Sequence, residues 1–193
     1  IGALHGDNES RNMRLNLQCH PMTPQSAIDQ ITVEWSMSET CIIWLRYHAA
    51  GNVGEVSLPD GLDQSQRMDG LWQNTCFELF LGEPRTERYS EFNFSPSGNW
   101  AAYSFDHYRN GMDPLALAQS PEIYMDFSDT HMALEVTFGL PDIWMREEFD
   151  AGLSAVIEMQ DGEKSLWALA HPAANPDFHH RDGFTLKMEA AER

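Results

Sequence analysis

Apolar residues in this chain recur at every second position in segment after segment, the spacing of a strand that buries one face. Ile31, Val33 and Trp35 alternate with Thr32 and Glu34, and Ile43, Leu45 and Tyr47 with Ile42, Trp44, Arg46 and His48. Phe77, Leu79 and Leu81 alternate with Cys76, Glu78 and Phe80, and Phe92 and Phe94 with Tyr89, Glu91 and Asn93. The turn residues Ser95-Pro96-Ser97-Gly98-Asn99 lead into Trp100–Phe105. Met132, Leu134, Val136 and Phe138 form a further set, as do Leu153, Ala155, Ile157 and Met159. Asp161-Gly162 then turns the chain into Leu166–His171, and Phe184–Met188 closes the series. Roughly nine to eleven short strands with turns between them predict an all-β, antiparallel β-sandwich. Helix signals are confined to Pro141–Phe149, with room for one or two turns, and to a short helix at most within the loop Tyr108–Pro121.

At 193 residues one domain is the expectation, and 42% hydrophobic residues supply its core. The reading is a flexible lead-in over residues 1–12 and a single domain over 13–190, with Met13 a candidate native start. Twelve basic against thirty acidic residues give 12 − 30 = −18. That charge disfavours nucleic acid and anionic membrane surfaces as partners, because phosphate binding needs clustered Lys and Arg. No apolar run is long enough for a membrane-spanning helix. Cys19, Cys41 and Cys76 form no CxxC pair, so neither a disulfide scaffold nor a structural zinc site is expected. A reducing, cytoplasmic location is the simplest reading; the periplasm stays open because the chain starts at Ile1.

The chemistry concentrates between Arg67 and Tyr103. With Phe77, Leu79, Leu81, Phe92 and Phe94 directed inward, Glu78, Glu91 and Asn93 share the opposite face of two neighbouring strands. Adjacent like charges on a sheet are unfavourable unless solvent, a cation or a ligand's donors compensate them. Carboxylates and an amide beside aromatic planes suit a sugar, whose C–H faces stack on rings and whose hydroxyls bond planar acceptors and donors. Trp72, just ahead of the strand, offers one such plane.

The segments LWQNTCFELFL and YSEFNFSPSGNWAAY resemble the DOMON-like superfamily, which includes the family-9 carbohydrate-binding modules. The similarity extends more loosely through GLSAVIE and SLWALAHP to PDFHH, and is narrowest to a DOMON-like bacterial family of unknown activity. The resemblance implies a β-sandwich that clamps a sugar between two aromatic rings. By position, Trp72 matches the first ring, Glu78 the strand Glu, and Glu91 and Asn93 the polar contacts of the next strand. Glu91 stands where a basic residue is more usual. Trp167 is the leading candidate for the second ring, with Trp44 and Trp100 as rivals. The expected function is therefore non-catalytic binding of a small ligand, most of all a saccharide, by Arg67, Trp72, Glu78, Glu91, Asn93 and Trp167.

Competing readings attach to the same residues. Trp72 caps the core, Glu78 lies on a solvated sheet face, Asn93 bonds the following turn, and Arg67 pairs with Asp69 or Glu78. A metal-dependent or acid/base enzyme would use His171, Asp177, His179 and His180, or the Glu78/Glu91 pair. The superfamily also contains haem-binding domains with Met and His axial ligands, though no spacing here selects such a pair. No cofactor is expected from the residues themselves.

Overall fold

The computed structural model describes residues 14–24, 26–59, 61, 65–145 and 148–190. The lead-in expected over 1–12 and the candidate start Met13 lie outside the described residues. Among the described residues twelve strands form: β1 (Leu15–Cys19), β2 (Ile28–Met37), β3 (Ile42–Gly51), β4 (Cys76–Gly82), β5 (Tyr89–Phe94), β6 (Trp100–Phe105), β7 (Asp113–Pro114), β8 (Glu122–Phe127), β9 (His131–Gly139), β10 (Glu148–Glu158), β11 (Lys164–Ala168) and β12 (Leu186–Glu189). They pair antiparallel in the order β7-β6-β5-β4-β10-β11-β1-β2-β3-β9-β8, with β12 beside the first half of β10. The expected antiparallel all-β fold is present as one curled sheet folded into two layers. β1 joins the layers: Leu15–Leu17 pair with β2, and Gln18 and Cys19 pair with β11. Among the described residues no helix is long and apolar enough to cross a membrane.

The alternating apolar sets meet between the layers. Phe77, Leu79 and Leu81 of β4 and Leu153, Ala155 and Ile157 of β10 belong to one buried cluster with Ile31 and Val33 of β2 and Ile43 and Leu45 of β3. Phe138 of β9 lies 4.9 Å and 5.4 Å, ring centre to ring centre, from Phe92 and Phe94 of β5. Tyr47 of β3 stands 5.1 Å from Phe77, and its hydroxyl donates to the Glu78 backbone carbonyl at 2.6 Å. Each such side chain contributes about 1.5–3 kcal/mol by leaving water. A one-residue slip of β4 would exchange these rings for Glu78 and Cys76, so the core holds the register that aims Glu78 outward.

Four expectations change. β10 begins inside the helix predicted over Pro141–Phe149, whose described residues hold a single 3-10 turn at Asp142–Trp144. Trp144, on that turn, and Phe149, on β10, are both fully buried in the inter-sheet core. β1 and β8 carry readable alternation (Leu15, Leu17, Cys19; Ile123, Met125) yet are absent from the expected series. The loop Tyr108–Pro121 holds the short β7 and no helix. Most consequential, β4 and β5 are buried on both faces. A second apolar cluster of Leu71, Phe80, Tyr89, Tyr103, Phe105 and Phe184 covers the outer face of the sheet, under loops that form a partial third layer.

Candidate functional site

A cavity of about 530 Å³ opens between that outer face and the covering loops. Its sheet side is built by β4, β5, β6, β10 and β11, through Glu78 and Phe80, Glu91, Tyr103 and Phe105, Val156, and Leu166. Trp72 reaches it from the 3-10 turn Leu71–Gln73. Arg109 and Met112 come from the loop after β6, and Pro176, Phe178 and His179 from the segment after β11. The period-two pattern places the strand residues here: Glu78 and Phe80, Glu91, and Tyr103 and Phe105 are the alternate members of strands whose other members fill the core.

Glu78 pairs across the ladder with Asn93 on one side and Ser154 on the other, and Glu91 pairs with Phe80. The two carboxyl-bearing residues are thus diagonal neighbours on one face. Glu78 is only 2% exposed, so the solvated-face reading does not hold for it. Ser154 Oγ donates to Glu78 Oε2 at 2.9 Å. Burial pushes the Glu78 carboxyl up to about 8; the neighbouring Glu91 adds to the rise and the Ser154 bond offsets part of it. Burial also raises Glu91, against the Asn93 hydrogen bond and the Arg109 charge. The two carboxyls therefore do not both ionise at neutral pH.

Asn93 is completely buried and does not line the cavity. Its Nδ2 donates to Glu91 Oε1 at 2.7 Å, so it orients Glu91 rather than bonding the following turn. Glu91 Oε2 lies 3.7 Å from His179 Nε2, and His179 Nδ1 lies 2.8 Å from the Tyr89 hydroxyl. That hydroxyl also accepts the Arg109 backbone N–H at 3.1 Å, so Tyr89 links His179 to the loop after β6. Burial and the nearby Arg109 lower His179 to about 4, and it is neutral at physiological pH. Asp177 ties the two covering loops together: it accepts from the Tyr108 hydroxyl at 2.7 Å and from Arg109 Nη2 at 2.9 Å.

Trp72 is 41% exposed with its ring edge-on to Tyr103 at 6.1 Å, so it walls the cavity rather than capping the core. Arg67 does not line the cavity. It pairs with Asp69 at 3.0 Å and lies over the Tyr103 ring at 5.3 Å, while the Tyr103 hydroxyl donates to Asp69 at 2.7 Å. Arg67 thereby braces the Tyr103 wall from behind, as the ion-pair reading with Asp69 has it. Trp167 is corrected outright. It packs in the inter-sheet core, with Nε1 donating to Ser165 Oγ at 3.0 Å, on the face of the sheet opposite the cavity. Its rival Trp100 is buried in the same core, and Trp44 is half-buried on β3 of the other layer. The other phenyl and phenol rings that line the cavity with Trp72 are those of Phe80, Tyr103, Phe105 and Phe178.

The candidate metal ligands are dispersed. His171 Nε2 bonds the Gln18 carbonyl at 2.7 Å, His180 Nδ1 accepts from the Asp182 N–H at 3.3 Å, and Asp177 is engaged as above. Among the described residues no group of three His, Cys, Asp or Glu is placed to hold a metal ion. Haem fits poorly as well: Met112 and His179 share the cavity, but both ring nitrogens of His179 face polar partners within the protein.

No protein-family model matches the sequence, and no curated protein matches it. Solved structures share its fold. A proposed carbohydrate-binding protein from Bacteroides uniformis superposes with a TM-score of 0.62 at 11% identity, over 93% of this chain and 87% of that one. A family-9 carbohydrate-binding module from Caldicellulosiruptor kristjanssonii, in complex with cellotriose, superposes at 0.59 with 8% identity, over 94% and 84%. A family-9 module from the same organism in complex with glucose gives 0.54 at 8% identity, over 93% and 85%. The architecture is that of the family-9 modules.

Proposed function

We propose that this chain, a curled β-sandwich with the fold of family-9 carbohydrate-binding modules, binds a saccharide in the outer-face cavity without transforming it. The observation that carries the reading is the joint placement of Trp72, Tyr103 and Phe105 with the carboxyls of Glu78 and Glu91 around one space of about 530 Å³. Ring faces supply stacking surfaces for sugar C–H groups, and buried carboxyls supply hydrogen bonds to hydroxyls that water competes for poorly. The fold neighbours described with cellotriose and glucose support the ligand class. In this reading Trp72 stacks, Glu78 and Glu91 bond hydroxyls, Asn93 orients Glu91, and Arg67 braces Tyr103.

Isothermal titration with glucose, cellotriose and a wider sugar panel tests it. Micromolar to millimolar binding is expected, and Trp72→Ala is expected to weaken it about tenfold, ~1.4 kcal/mol. Absence of heat with every sugar removes the reading.

The raised Glu78 favours a second reading, in which it serves as a general acid opposite Glu91. Aryl glycosides test this directly: release of phenol that disappears in Glu78→Gln supports hydrolysis, and no release over hours rejects it.

A further inference from the structure

The hydrogen bonding around the carboxyl pair is incomplete. Glu78 Oε2 accepts from Ser154, but Oε1 has no hydrogen-bond partner among the described residues, although the side chain is almost wholly buried at the cavity. Oε1 is open to the cavity, where a ligand's donor can take the place of water. No lysine or arginine among the described residues forms an ion pair with Glu78 or Glu91, and no lysine lines the cavity. The one guanidinium present, that of Arg109, is committed to Asp177 at 2.9 Å. The neighbouring surface is aromatic, and ring faces attract cations. The chain's charge of −18 raises the local concentration of cations further.

From this geometry we propose that the cavity selects a ligand bearing a protonated amine, seated between Glu78 and Glu91. Resting on the saccharide reading above, the class is an amino sugar with a free ammonium group, in preference to neutral or N-acetylated sugars. An ammonium offers three donors, enough for Glu78 Oε1 and an oxygen of Glu91 together. In the free protein, burial keeps the proton on Glu78. When the ammonium enters, Glu78 releases that proton to solvent, so the bound cation replaces it and charge stays balanced.

The test is calorimetric titration of the full chain at neutral pH with D-glucosamine, N-acetyl-D-glucosamine, D-glucose and cyclohexylamine, each in two buffers of different ionisation enthalpy. The expected result is glucosamine binding roughly tenfold or more tighter than glucose and N-acetylglucosamine. Its heat should depend on the buffer as proton release requires, and Glu78→Gln should collapse the glucosamine-to-glucose ratio towards one. Equal binding of all three sugars, or glucosamine heat independent of buffer, overturns amine selection and leaves the saccharide reading standing. Binding of cyclohexylamine with no response to any sugar overturns the saccharide reading and supports the carboxyl–ammonium pairing. Silence with all four ligands overturns both. The wild-type ratio and buffer dependence decide the matter even where Glu78→Gln fails to fold.

Discussion

Glu78 links the chemistry of the cavity to the stability of the fold. Its carboxyl is lifted from the ordinary 4.5 to about 8, so between those values the folded chain holds a proton that the unfolded chain has lost. Stability from this group is therefore greatest in acid, falls as pH rises from about 4.5, and levels off above about 8. His179 acts in the opposite sense: lowered from 6.5 to about 4, it takes up a proton on unfolding in that window, so its contribution grows as pH rises towards 6.5. The two slopes oppose each other in mild acid, and above about 6.5 His179 no longer opposes the fall that Glu78 gives and the likewise raised Glu91 reinforces. Thermal melts of the wild type should decline across that upper window, by up to about 1.4 kcal/mol per pH unit. Glu78→Gln preserves size and removes the titration, so its curve should be flatter. A wild-type curve no steeper than that of the variant would contradict the buried, protonated Glu78.

At the scale of elements, the cavity exists because the segment after β11 lies down on the sheet, and two glycines make room for it. Gly152 of β10 faces Phe184, and a Cβ there would sit 2.8 Å from that ring. Gly82 of β4 faces the Arg181 guanidinium, which bonds the Glu83 carbonyl at 3.3 Å and Asp150 at 3.4 Å. The two contacts differ in what can yield. An aromatic ring wedged against Phe80 and Tyr89 has nowhere to go, whereas a guanidinium at the end of a long side chain can swing aside. Gly152→Ala is therefore expected to destabilise by about 1–3 kcal/mol and to weaken ligand binding. Gly82→Ala should lose no more than the part-exposed Arg181–Asp150 pair, about 1 kcal/mol or less. Chemical denaturation of both variants checks the order; a larger loss for Gly82→Ala would show that Arg181, not Phe184, pins the segment.

At the scale of the whole molecule, thirty acidic residues against twelve basic ones repel one another across a chain of this size. Salt screens that repulsion over about 10 Å at 0.1 M. The melting temperature should rise as NaCl goes from roughly 10 mM to 200 mM, the range over which screening becomes short. A melting temperature that falls with salt would mean that attractive ion pairs, such as Lys187–Asp150 and Arg181–Asp150, outweigh the net repulsion.

Much of this architecture was legible along the chain. Period-two alternation identifies β2 to β6, β9 and the outer half of β10, and it assigns Phe77, Leu79, Phe92 and Phe94 to the core and Glu78, Glu91 and Asn93 to the other face. It does so because a pleated strand has only two faces, and one-residue errors expose a whole core. The same period also carried Tyr103 and Phe105 to the cavity side, although neither stands out among so many aromatics. What local pattern does not encode is which outer face is covered and by what. Trp167 alternates correctly yet faces inward, while Arg109, Phe178 and His179 reach the cavity from loops held by Asp177 and by Phe184 over Gly152. Those contacts join residues dozens of positions apart, so they arise only when the sheet has curled and the loops have packed against it. The burial that raises Glu78 has the same long-range origin.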